Sequence, residues 1–147
     1  MAAPDPRRLE RLRRELSEGL TAFAAVEIVD AAEGRLVATM PVGPHLIAPN
    51  GYLHAAALVL LADTACGIGC WLGLPEDGPG FTTVELKCNF VGAAREGTLR
   101  CEATRAHGGR STEVWDALVT TVDGRAVALF RCTQMILAPR GSGTARG

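Results

Sequence analysis

At 147 residues the chain is the size of one domain, long enough to bury a core but too short for a cleft between two lobes. Its net charge of -1, from 15 basic and 16 acidic residues, removes any overall electrostatic case for nucleic acid or an acidic membrane surface. The five cysteines (Cys66, Cys70, Cys88, Cys101, Cys132) are odd in number and form no CxxC pair, so they read as buried small hydrophobes rather than disulfides or metal ligands. No metal site is expected, and a reduced, cytoplasmic setting suits them.

Residues 1–24 read as an amphipathic helix packed on the domain: Leu9, Leu12, Leu16 and Leu20 recur at helical spacing, while Glu10, Glu15 and Glu18 interleave with the arginines. This stretch lacks the apolar core of a signal peptide. Residues 25–138 form the main domain. Its first strands are expected at 26–30 and 35–42, joined through Glu33 and Gly34. A loop with two prolines leads into a long apolar helix at 52–74, closed by Gly73 and Pro75. Gly78-Pro79-Gly80 breaks the chain before a strand at 82–91. A meander follows at 98–106, 112–122 and 125–137, with turns at 107–110 and at the hairpin signal Asp123-Gly124. The tail at 139–147 is Gly, Ser, Thr and Arg and is expected to be disordered. The order fits an α+β domain, a largely antiparallel sheet curled around the long helix, with no repeated βαβ unit and no phosphate-loop fingerprint.

The long helix carries the chemical signal. It is apolar nearly all round yet holds one carboxylate, Asp63, whose burial costs several kcal/mol unless it is paired or used. About 20 apolar residues can span a bilayer, but an Asp at the centre costs roughly 2.5–3.5 kcal/mol there, and no second such run exists. His54 precedes Asp63 by nine residues, which at about 100° and 1.5 Å per residue places them on roughly opposite faces and about 13.5 Å apart along the axis. One chain cannot aim both at one ligand, so a shared site requires two. Unpaired N–H groups at Ala55 and Ala56 are then expected to hold a developing oxyanion, with Asp63 attacking or activating water opposite them.

The run Pro49-Asn50-Gly51-Tyr52-Leu53-His54-Ala55-Ala56-Ala57, continuing to Asp63, resembles the signature of hotdog-fold acyl-CoA thioesterases of the phenylacetate-pathway (PaaI-like) type. There a Gly-x-x-His-Gly-Gly-Ala pattern is followed nine residues after the His by an Asp or Glu. The similarity continues through 82–90, Gly97, Gly109-Arg110-Ser111, Asp123-Gly124-Arg125 and the last strand, covering roughly residues 20–138. It implies a hotdog fold and a homodimer sharing one sheet, often paired into a homotetramer, with two interfacial sites. It further implies Asp63 as nucleophile or general base, the Ala55 N–H as donor to the thioester carbonyl, His54 beside it, and Thr83 as a hydroxyl placing water or substrate. Asn50, Arg110, Ser111 and Thr112 fall where substrate and CoA contacts are expected. CoA is part of the substrate and no separate cofactor is implied.

This sequence has Ala55-Ala56 where the family pattern has Gly-Gly, and Ala48 where a Gln or Asn often precedes the His. These differences keep a second reading open, a non-catalytic or weakly catalytic acyl-CoA-binding hotdog protein. A third, dehydration or hydration of an acyl thioester, needs a second His in reach, and His45 and His107 lie in a loop and a distal turn. Trp71, Phe81 and Phe90 are candidates to shape the acyl pocket, whose occupant the sequence does not specify.

Overall fold

The computed structural model describes residues 4–78 and 80–137, so the tail expected to be disordered lies outside the described residues. Helices α1 (Pro6–Leu16) and α2 (Gly19–Phe23) precede strands β1 (Glu27–Ala32) and β2 (Arg35–Pro41). A 3-10 turn, Pro44–Leu46, leads to the long helix α3 (Ala55–Gly73), followed by β3 (Phe81–Phe90), β4 (Thr98–Gly108), β5 (Thr112–Thr121) and β6 (Ala126–Ile136). The strands form one six-stranded sheet in the order β1-β2-β4-β5-β6-β3, antiparallel at every pairing. The chain has the hotdog arrangement, with α3 lying in the curl of the sheet.

Wrapping follows from the composition of α3. Leu58, Leu61, Ala62, Ala65, Cys66, Ile68, Gly69 and Cys70 are all buried, on faces too varied for a surface helix. Each buried Leu or Ile contributes about 1.5–3 kcal/mol relative to exposure, so enclosure is the stable solution. The helix is long and apolar enough to cross a membrane by length and composition, and 56% of that window is buried inside the domain. Close approach needs glycine at one point. A Cβ on Gly69 would lie 2.6 Å from the Trp115 ring, which is fully buried and anchored by Trp115 Nε1 donating to Glu113 Oε2 at 2.7 Å. Glu113 also accepts from Arg105 at 3.2 Å, so this buried carboxylate is satisfied at both oxygens.

The facing of the meander strands resolves as alternation. Leu99, Cys101 and Ala103 of β4 and Trp115, Ala117 and Val119 of β5 point into the core, whereas Leu118 and Val122 are exposed on the other side. Four cysteines are buried as expected, while Cys88 on β3 is only half-buried. The thiol of Cys101 is pushed up to about 12 by burial.

The N-terminal segment differs from a single helix. Ser17 caps α1 through its hydroxyl and N–H to the Arg14 carbonyl, and Gly19 takes a φ of 66°, so the chain turns before α2. Leu12 is the buried face of α1. Arg8 donates to the Trp71 and Leu74 carbonyls at 2.8 Å each and lies 4.3 Å from the centre of the Trp71 ring. It caps the C-terminus of α3, where carbonyls lack helical partners and the dipole favours a cation.

Substituting Gly69→Ala is expected to lower stability despite a helix-propensity gain of about 1 kcal/mol, because overpacking against a fixed ring costs about 1–3 kcal/mol and the ring has no room to retreat. Gly67→Ala, whose Cβ would meet the edge of the half-buried Phe81 at 3.3 Å, is expected to be tolerated. Thermal melts followed by circular dichroism compare the two.

Candidate active site

Asp63 reaches a cleft of about 330 Å³ at the middle of α3, lined also by Leu12 and Glu15 of α1, Gly67, Ile68 and Trp71 of α3, and Phe81 and Thr83 of β3. The carboxylate is half-buried. Its Oδ1 accepts from the Thr83 hydroxyl at 3.3 Å, and among the described residues no donor reaches Oδ2. Desolvation pushes its pKa above the ordinary aspartate range, and the Thr83 hydrogen bond offsets part of that rise. A carboxylate of raised proton affinity is a stronger base than a surface aspartate. Thr83 is held from behind by Gln134, its cross-strand partner on β6, with Thr83 Oγ1 2.9 Å from Gln134 Oε1. The pairing is irregular immediately after Thr83, and such bulges bend a strand and re-aim its side chains.

His54 is the N-cap of α3. Its Nδ1 accepts the Ala56 N–H at 3.0 Å, so the neutral ring carries its proton on Nε2. This corrects the expectation of two unpaired amides: the Ala56 N–H is committed to the cap, and the Ala55 N–H alone has no acceptor among the described residues. The loop before the helix is fixed by His54 N–H donating to the Leu46 carbonyl and Leu53 N–H to the Ala94 carbonyl, both at 2.8 Å. Asn50 accepts from the Tyr52 N–H at 3.2 Å, closing the turn around Gly51, where φ is 83°.

His54 lines a second, mostly apolar cleft of about 350 Å³ with Leu20, Phe23, His45, Leu46, Ile47, Ala56, Ala57 and Leu60. It shares no lining residue with the Asp63 cleft. His45 was expected to be remote, yet the loop folds back and puts it in the same cleft as His54. Its Nε2 lies 2.7 Å from the Phe23 carbonyl, which holds that nitrogen as a donor.

Arg110 and Ser111 are exposed in the β4–β5 turn and Thr112 opens β5. The Ile136 N–H donates to the Ser111 carbonyl at 2.9 Å, and Ile136 pairs with Phe81, so this turn lies at the Asp63 end of the sheet. The opposite end carries His54, Asn50 and Arg95, whose guanidinium stacks 4.1 Å from the centre of the Tyr52 ring. Sequence reasoning missed Gln134, Arg95 and the two α1 residues in the Asp63 cleft. Only Gln134 left a trace, as an amide inside an otherwise inward-facing strand pattern.

The family profile described as thioesterase superfamily matches residues 50–128, a span that holds the α3 residues of both clefts and Thr83. The chain belongs to the thioesterase superfamily. Among its relatives is the 1,4-dihydroxy-2-naphthoyl-CoA hydrolase of Listeria monocytogenes, 30% identical over 115 residues that cover 78% of this chain and 93% of that protein. A thioesterase from Haemophilus influenzae has the same fold with a TM-score of 0.88 and 26% identity, covering 97% of this chain and 99% of its own. The Escherichia coli PaaI protein superposes with a TM-score of 0.80 at 23% identity, covering 90% of this chain and 93% of its own. Membership makes this chain a thioester hydrolase.

The raised Asp63 pKa has a stability consequence. The folded state holds the proton more tightly than the unfolded chain, so the ionised form weakens the fold above the ordinary aspartate range and the penalty fades as pH falls below it. Asp63→Asn is therefore expected to melt higher than the parent at neutral pH, with the gap closing under acid. Paired thermal melts across that range check the sign.

Proposed function

We propose that this thioesterase hydrolyses an acyl-CoA thioester to the free acid and CoA at a site shared by two copies of the chain, with Asp63 as nucleophile or general base. The observation that carries this reading is the setting of Asp63, the one carboxylate of the central helix, half-buried, bonded at one oxygen by Thr83 and facing a cleft. In the reaction, water supplies an oxygen to the acyl carbon, the carbon–sulfur bond breaks, and CoA leaves as the thiol. Asp63 either takes the proton of the attacking water or attacks first and is released by water.

The need for two copies is supported by the separation of the two clefts and by β3. Among the described residues this strand pairs only with β6, leaving a ten-residue edge on which Val84, Leu86 and Phe90 are 48%, 43% and 50% exposed. Long apolar edges of this kind invite strand pairing. A second copy meeting β3 would continue the sheet and bring its own α3 alongside, with the Ala55 N–H and His54 Nε2 of one copy facing Asp63 of the other. The outer sheet face, with Leu118 and Leu129 42% and 48% exposed, offers a further contact for a dimer of dimers. Arg110, Ser111, Thr112 and Asn50 are the proposed contacts for CoA. Trp71 and Phe81 give the Asp63 cleft aromatic walls, and the naphthoyl-CoA hydrolase among the relatives makes aryl-CoA thioesters the first compounds to test. Five free thiols suit a cytoplasmic setting.

Asp63→Ala is expected to lose thiol release from a panel of aliphatic and aryl acyl-CoAs by about 10²–10⁴-fold, the usual contribution of a positioned acid–base group. Full activity in a folded, dimeric Asp63→Ala protein would remove the mechanism. Sharing of the site has its own check: mixing His54→Ala and Asp63→Ala subunits is expected to restore activity above either parent, because half of the sites in a mixed dimer carry neither change.

A further inference from the structure

Gln134 is fully buried, yet the proposed reaction does not use it. Its cross-strand neighbours are Thr83 on β3 and Glu113 on β5. Glu113 is already satisfied by Arg105 and Trp115, so the amide is not there to pair that carboxylate. What remains within reach is Thr83 Oγ1 at 2.9 Å on one side and Cys132 Sγ at 3.3 Å on the other. A buried amide without strong partners is destabilising, which sets a demand on how these groups share protons.

The Thr83 hydroxyl has one proton and two acceptors in range, Asp63 Oδ1 and Gln134 Oε1. If the proton goes to Gln134, the carboxylate loses the one side-chain donor it has among the described residues, and the amide N–H is left with a thiol sulfur, a weak acceptor. The two ends of a carboxamide have nearly the same shape, so the amide can turn over without disturbing packing. With Nε2 toward Thr83, the amide donates to the hydroxyl oxygen, the hydroxyl donates to Asp63, and the Cys132 thiol donates to Oε1. The Thr83 hydroxyl, both ends of the amide and Asp63 Oδ1 then each have a partner, and Oδ2 stays free toward the cleft.

We propose that Gln134 is a positioning residue: it orients the Thr83 hydroxyl so that its proton is delivered to Asp63, holding one carboxylate oxygen and leaving the other toward the cleft. The inference rests on the reading of Asp63 as the reacting acid, and it names an amide that acts only through Thr83. Because a neutral hydrogen bond is worth about a tenfold effect at the upper end of its range, the consequence falls on turnover and on the proton affinity of Asp63 rather than on substrate capture.

The test is a double-mutant cycle of Gln134→Met and Thr83→Val, read in two ways on the intact protein. The first reading is the ionisation midpoint of the Asp63 carboxyl by carbon NMR, which needs no substrate. The other ionisable groups around Asp63 are Glu15 of α1, paired with Arg11, and Cys66 on its own helix; Cys132 on β6, which contacts Cys66, loses its amide partner in Gln134→Met but not in Thr83→Val, so the second variant separates that effect. Each single variant is expected to raise the midpoint by about half to one pH unit, and the double variant no further. The second reading is thiol release from benzoyl-CoA and from the best aliphatic acyl-CoA of the panel, with kcat lowered by about tenfold and KM changed by less than about twofold.

Replacing both partners by apolar groups of similar shape is nearly neutral for folding, so the double variant keeps the cycle readable if a single one is unstable, with Gln134→Asn as the shorter amide that cannot reach. An unshifted Asp63 midpoint in Gln134→Met, or shifts that add in the double variant, would overturn the proposal. Loss of activity in Asp63→Ala alongside an inert Gln134→Met would leave the mechanism standing and remove only the role of Gln134.

Discussion

A helix that is apolar on nearly every face cannot lie on a surface, and the rest of the fold follows from having to enclose α3. The sheet has to curl, the inward side chains of β4 and β5 have to meet the helix closely, and glycine is needed where Trp115 presses against it. Enclosure by one sheet leaves α3 accessible in three places: its N-cap at His54, its flank at Asp63, and its C-terminal carbonyls at residues 71–74. The last of these is closed by Arg8 from α1. The other two carry the polar groups whose chemistry the core does not absorb.

The buried polar groups divide along the same line. Arg105 and Trp115 satisfy both oxygens of buried Glu113 and so hold a bulky ring under the helix. Asp63, Thr83 and Gln134 are different, because their chain of hydrogen bonds runs from a fully buried amide to a carboxylate with one oxygen uncommitted. A polar chain that ends facing a cleft has its last acceptor free for a reacting group. Desolvation and the Thr83 hydroxyl pull the Asp63 proton affinity in opposite directions, so a basic yet ionisable carboxylate is the joint product of burial and one donor.

Much of the architecture was readable from residue pattern. Gly34, Gly124 and the proline-rich loop marked the turns, alternation marked the strands, and the Ala- and Leu-rich run marked the helix, though it begins at Ala55 because His54 caps it. Less readable were features fixed by distant partners. The run of leucines at helical spacing extends through Leu20, but Gly19 breaks it into two helices. His45 looks remote in the chain and is brought beside His54 by the short bridge between Ile47 and Leu53. Ala56 reads as a free amide donor until the His54 ring turns back onto it. In each case the deciding contact is a backbone hydrogen bond or cap that residue type alone does not specify.

By itself the sequence determined the class of the fold, the central helix and the identity of its one carboxylate, because hydrophobic periodicity and the cost of burying charge are local properties of the chain. It also settled that His54 and Asp63 point to different sides, since helical geometry fixes angle and rise per residue. Tertiary structure decided which groups surround them: strand pairing set Gln134 behind Thr83, the bulge beside Thr83 altered the local register, and α1 supplied a wall and a cap from the far end of the chain. Those are long-range pairings, in which register and packing select one partner among many chemically equivalent ones, and no local pattern encodes that choice.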